Sequence, residues 1–234
     1  MSQLAPGMPP LPARFLKLPI DHRGYPVPKF CHRRPDGTYD FRVVKPGWPQ
    51  RCRSHRLCWL CGEPLGKFMC FVIGPMCALN RNTAEPPCHR ECAEFAVMAC
   101  PFMRFPNRKR DGEDLPEEGR RPGGDEAMIM RNPGVTCLWI TKSYRPYRSS
   151  INGDVLIEIG DPVEVQWWAH GRSATREEIM ASINSGLPLL RAMAEKEGPK
   201  AIEALNFVTE RGLKLVPASS GGGGIAVGDS SVKS

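Results

Sequence analysis

Two short motifs, Cys58-Trp59-Leu60-Cys61-Gly62 and Cys88-His89-Arg90-Glu91-Cys92, constrain this chain more than any other part of it. A Cys-x2-Cys turn sets two thiolates on one side of a tight knuckle, and Gly62 lets the chain reverse directly after it. Pro86 and Pro87 precede the second motif, so a helix is expected to begin there. Residues three apart on that helix share a face, which lets His89 and Cys92 converge on one ion. A helix N-terminus also favours a bound thiolate. The spacing therefore predicts a structural Zn²⁺ held by Cys58, Cys61, His89 and Cys92. Cys88 and Cys92, at i and i+4, share a face as well, so an all-cysteine site with Cys88 replacing His89 stays open.

Between the motifs, residues 67–79 read KFMCFVIGPMCAL, and the Gly74-Pro75 break predicts a β-hairpin. Knuckle, hairpin, and a helix whose first turn completes the site is the order of elements in a treble-clef zinc module. That is the expectation for residues 51–103, which hold eight of the ten cysteines. Cys70 and Cys77 on the hairpin, and Cys100 at the far end of the helix, are expected to pack as small apolar residues. Cys31, His32, Cys52 and His55 form an irregularly spaced group that could make a second site.

The N-terminal residues lack a continuous apolar stretch, being interrupted by Pro6, Pro9, Pro10 and Pro12, and no apolar run is long enough to span a bilayer. A reducing, cytoplasmic setting without a membrane partner is expected, where clustered cysteines point to metal before disulfides. Residues 1–110 carry 18 Lys/Arg against 7 Asp/Glu, whereas residues 111–234 carry 14 against 18. The basic front permits an anionic partner, nucleic acid being the commonest.

The expected organisation is α+β. Residues 1–50 form a proline-rich extended arm and a hairpin (30–34 with 39–44, turning at Pro35-Asp36-Gly37). Residues 104–127, almost free of large apolar side chains, form a flexible linker. Residues 128–216 form a strand-plus-helix module, and 217–234, with four consecutive glycines, a disordered tail. In the second half, strands at 135–141, 155–159 and 163–168 suggest an antiparallel meander. Trp167 and Trp168 should point to opposite faces, one into the core and the other exposed for binding or packed under the helices. Thr175-Arg176-Glu177-Glu178 is a capping box opening a helix that should stop near Gly186. Two further helices follow at 189–197 and 201–215.

Arg51, Arg53, His55 and Arg56 abut the knuckle, and Arg104, Arg108, Lys109 and Arg110 follow the second motif's helix. If the zinc module brings its ends together, these form one basic face able to contact phosphates. A protein partner docking on the module is the other reading of a non-enzymatic adaptor. The enzymatic alternative is an HNH-like metal-dependent nuclease. It needs a general-base histidine and metal-holding side chains, yet 62–88 contain neither histidine nor aspartate, and Asp21-His22 precedes the knuckle. A thiol oxidoreductase would want an isolated Cys-x2-Cys pair at a helix start, which this one is not.

The segments RGYPVP, CWLCGEPLG, FVIGPMCALNR, EPPCHRECAEFA and CPF, together with GDPVEVQWWAHGRSATREEIMASINSGLPLLRAMAE, resemble an uncharacterised family of small treble-clef proteins from bacteria and their phages or mobile elements. Some members of it are automatically labelled cell-envelope biogenesis proteins. The resemblance covers most of 15–215 and implies a His-x2-Cys pair matching His89 and Cys92, and a phage or mobile-element setting.

Overall fold

The computed structural model describes residues 3–105, 132–149 and 153–218, with the backbone of Ile225–Ala226. The fold is α+β, with antiparallel sheets and helices. Its first residues run without a long element. They hold one 3-10 turn, Ala13–Phe15, and a loop closed by the Ile20–Pro26 bridge. The expected hairpin follows as β1 (Cys31–Arg33) and β2 (Tyr39–Val44). Asp36 fixes its turn by accepting from the amide and hydroxyl of Thr38, and Gly37 supplies the positive φ.

Helix α1 (Trp48–His55) was not expected from the sequence; Pro49 in its first turn has no amide to leave unpaired. Beyond the knuckle come β3 (Met69–Ile73), α2 (Pro75–Asn80), β4 (Asn82–Thr83), α3 (Arg90–Ala99) and α4 (Pro101–Arg104). The hairpin expected at 67–79 is thus half right. Its first arm is β3, but its second arm is α2, because Pro75 sits at the first helical position with Gly74 as the extended N-cap. The strand that pairs with β3 comes from beyond the 104–127 stretch.

That partner is β5 (Thr136–Thr141), followed by β6 (Tyr144–Arg148), β7 (Val155–Ile159), β8 (Pro162–Ala169) and β9 (Arg172–Ser173). The central sheet runs β8-β5-β3, with Ile225–Ala226 (β10) added outside β8. The meander is therefore overturned: β5 pairs directly with β8, while β7 joins β6 and β4 in a second sheet. The cause is the burial of β5, which needs a partner at both edges and cover on both faces. Pro146 masks β6 in the sequence, yet it is tolerated because β6 is an edge strand.

The period-two alternation of the central strands feeds two separate cores. Cys70, Val72, Leu138, Ile140 and Trp168 face the first, beside the knuckle and α3. Phe71, Ile73, Cys137, Trp139, Val165 and Trp167 face the second, beneath α2 and the C-terminal helices. Both tryptophans of the Trp167-Trp168 pair are packing residues, one for each core.

Helix α5 (Arg176–Glu197) begins as expected: Thr175 Oγ1 accepts from the Glu178 amide at 3.2 Å, and Glu178 accepts from the Thr175 amide at 2.8 Å. Gly186 does not end it. The glycine is buried inside a single helix that also absorbs Pro188 and the separate helix expected at 189–197. Packing on α2 outweighs the local helix-breaking tendency of both residues. The stop comes at Gly198 (φ +103°), and α6 (Pro199–Leu213) starts at once with proline at its first position. Gly212 lies so close to Leu79 of α2 that a Cβ there would sit 2.4 Å from Leu79 Cδ2, which sets the separation of α6 and α2. No helix among the described residues is long and apolar enough to cross a membrane. Most of the 104–127 stretch and of the 217–234 tail lies outside the described residues, apart from β10 and the ends that adjoin α4 and α6.

Candidate metal centre

The knuckle is shaped by its own backbone before any ligand is considered. Leu57 and Pro64 bridge across it, the Cys58 amide donates to Glu63 O at 2.8 Å, and the Gly62 amide donates to Cys58 O at 2.9 Å. Gly62 takes φ +78°, the left-handed turn that the sequence anticipated. These bonds leave Cys58 and Cys61 on one side of the turn, both buried.

The facing pair arrives with α3. His89 is the extended N-cap residue of that helix, and Cys92 lies in its first turn. Reciprocal amide–carbonyl bonds between Cys70 of β3 and Cys88 (2.9 and 2.7 Å) fix the approach of this segment to the central sheet. The Trp59 amide, inside the knuckle, donates to Pro87 O at 3.0 Å and ties the two motifs together.

The donor atoms of Cys58, Cys61, His89 and Cys92 all lie within 4.8 Å of one another, a group able to hold a metal ion. His89 Nδ1 is 3.4 Å from Cys61 Sγ and 3.8 Å from Cys92 Sγ. Zinc–sulfur and zinc–nitrogen bonds of roughly 2.3 and 2.0 Å require an S···N tetrahedral edge of about 3.5 Å, close to both separations. His89 Nε2 lies 2.9 Å from Pro64 O, a carbonyl that can only accept, so Nε2 carries its hydrogen and Nδ1 is the nitrogen turned to the sulfurs. Cys58 Sγ accepts from the amides of Cys61 (3.5 Å) and His89 (3.4 Å), bonds that favour a thiolate.

Protons are unevenly shared in this group. Burial resists ionisation of Cys58, but contacts from Cys61, Cys88, Cys92 and His89 outweigh it and hold that thiol below its ordinary range. Cys92, facing Cys58 and Cys61, is pushed up. The sulfurs of Cys58 and Cys61 raise His89 to about 10. The contacts thus favour the ionised form at Cys58 and the protonated form at His89, and a bound cation would take the place of that proton.

Cys88 stands outside the four-donor group; burial drives its thiol well up, and the same holds for Cys70 and Cys137. Burial also pushes Cys77, on α2 rather than on a hairpin, up to about 11. Cys100 is the half-buried C-cap of α3. Cys31, His32, Cys52 and His55 do not come together: Cys31 and Cys52 are buried separately as apolar residues, and no second group of three or more donors occurs among the described residues. Asp21 is taken up by its own turn, accepting from the amides of Arg23 and Tyr25 and from Arg23 Nε, while His22 is exposed beside it.

The N-terminal arm closes over the centre, which sequence reasoning missed. Arg14 bridges Glu63 of the knuckle and Glu91 of α3 (2.6 Å to Glu91), and Phe15 meets Phe95 edge-on at 4.9 Å. No local pattern announces these contacts, because they join residues far apart in sequence.

The basic residues divide. Arg51 and Arg56 are exposed and Arg53 half-buried on and just after α1. Arg104, at the end of α4, stacks on Phe105 and packs beside Gly171. Arg108, Lys109 and Arg110 lie outside the described residues. Beside α1 runs an open groove of about 580 Å³ whose lining includes Lys29, Lys45, Trp48, Arg51 and Gly62, with no acidic residue. No family model, curated protein or solved structure matches this chain.

Proposed function

We propose that this protein is a zinc-stapled, non-enzymatic adaptor that binds nucleic acid through the basic surface around α1. Four protein donors fill a tetrahedron and leave no open coordination position, the pattern of structural rather than catalytic zinc. In such a role the ion crosslinks the short elements around the knuckle. The treble-clef description, and the phage or mobile-element setting that the family resemblance implies, belong to the same reading.

The observation that carries the partner class is the difference between two sets of cations. Arg14, Arg34, Arg42 and Arg90 are each committed to carboxylates. Lys29, Lys45, Arg51, Arg53 and Arg56 have no carboxylate within ion-pair distance among the described residues. Cations without a carboxylate partner, in the groove and on or just after α1, suit a polyanion, whose bound counterions are released on contact.

Fluorescence anisotropy with labelled single- and double-stranded oligonucleotides, titrated over salt, tests this. Binding should weaken steeply with salt, and the Arg51→Glu, Arg53→Glu, Arg56→Glu triple variant should lose it with metal content unchanged. Absence of binding at low salt would overturn the nucleic-acid reading and turn attention to a protein partner.

A further inference from the structure

The groove beside α1 is built directly on the metal knuckle. Its walls hang from the two residues between the knuckle cysteines. Trp48 Nε1 donates to Trp59 O at 3.1 Å, and the Lys29 amide donates to Leu60 O at 2.8 Å. Phe30 stacks on Trp59 (5.0 Å between ring centroids, 9° between planes) and its carbonyl accepts from the Lys45 amide at 2.7 Å. Lys45 Nζ then lies 4.6 Å from the centre of the Trp48 ring. Gly62 forms part of the groove, and a Cβ there would come within 3.0 Å of Lys29 Cγ and 3.2 Å of Trp48. The Lys29 backbone is thus held by a knuckle carbonyl, and that of Lys45 follows indirectly, through Phe30 stacked on Trp59. Arg51 adds a third cation, and the acid next to Gly62, Glu63, is turned to Arg14 and Lys17.

We propose that this groove is a phosphate seat: Lys29, Lys45 and Arg51 take one phosphodiester group of the bound strand, and metal in the Cys58/Cys61/His89/Cys92 site keeps the seat in shape. The inference rests on the nucleic-acid reading above and deepens it from a diffuse basic surface to one defined contact governed by the metal. Three cationic donors line one groove, and each can give a phosphate a charge-assisted bond, which is stronger than scattered surface attraction. Loss of the metal frees the knuckle carbonyls that hold Trp48 and Lys29, so the seat loosens while the cations remain.

The test measures oligonucleotide affinity by anisotropy for the full chain, with and without metal. Lys45→Gln and Arg51→Gln should each weaken binding by about tenfold or more, the scale of a charge-assisted hydrogen bond. Arg53→Gln and Arg56→Gln, which remove equal charge outside the groove, should cost only about two- to threefold. After chelation, the Lys45→Gln, Arg51→Gln double variant should bind no worse than the unsubstituted chain. Equal losses for all four single substitutions would overturn the seat while leaving the nucleic-acid reading intact. Equal losses from the double variant with and without metal would overturn the metal dependence. Inorganic phosphate, at matched ionic strength, should compete for the groove and shift Trp48 fluorescence in the metal-loaded chain. A response to phosphate without oligonucleotide binding would overturn the strand as ligand and leave a seat for free phosphate.

Discussion

The two sides of the central sheet solve the same packing problem with different means. On the side of α5 and α6, Ile179 and Ile183 of the long helix α5 and Leu79 of α2 pack against Phe71, Trp139 and Val165, an aliphatic and aromatic core closed by ordinary burial. On the knuckle side the elements are short, and Cys52, Cys58, Cys61, Cys70, Cys88 and Cys92 occupy much of the interior. Free thiols are small and polarisable, and the proposed metal would give this side a crosslink among its sulfurs that the other side does not have. The contrast teaches where this chain places its weak point. The helical side should survive changes that dismantle the knuckle side, and the proposed ligand contacts sit on the weaker of the two.

The sharpest way to break the contrast is Cys61→Ser. It should abolish metal retention and cost on the order of 5 kcal/mol or more of stability, since structural metal binding is coupled to folding. Retained metal with a small loss of stability, read by metal analysis and urea unfolding, would remove the distinction between the sides. Ile183→Ala, at a position 1% exposed, should cost about 3 kcal/mol through the cavity it leaves and keep the metal content unchanged. Metal loss in that variant would mean the two cores are one cooperative unit.

Asp40 sharpens the knuckle side further. Its side chain is buried between Arg42 and Arg34, and bonds from Arg42, then Arg34, outweigh the burial and hold the carboxyl well below its ordinary value of 3.8. A carboxyl depressed on folding adds stability that is present above about pH 4 and lost as pH falls through its folded value. Asp40→Asn should therefore cost about 2 kcal/mol at neutral pH and less at low pH. A pH-independent loss would assign the effect to packing. The smallest effect expected is that of Thr175→Ala, about 1 kcal/mol, from losing one half of the α5 capping box. Its cost should be the same with and without metal.

The two sides also differed in how much of each could be read beforehand. Cys58, Cys61, His89 and Cys92 were legible because ligand spacing is local and chemically narrow, and Thr175 because a capping box is complete within four residues. Gly74-Pro75 misled because the same pair serves a turn or a helix start. Gly186 misled because its burial in the α5 packing offsets the local preference to stop. The pairing of β5 with β8 and β3, and the closure of the arm through Arg14, were hidden for a different reason. Both are contacts between distant residues, and the composition of either partner alone does not choose them.

One metal ion, held by three sulfurs and one imidazole, is proposed to organise the knuckle side. Elemental analysis of the purified full chain by plasma mass spectrometry tests it most directly. The account predicts zinc at about one ion per chain, retained on dialysis and lost in Cys61→Ser. A content near zero, in a chain that nonetheless folds cooperatively, would contradict it.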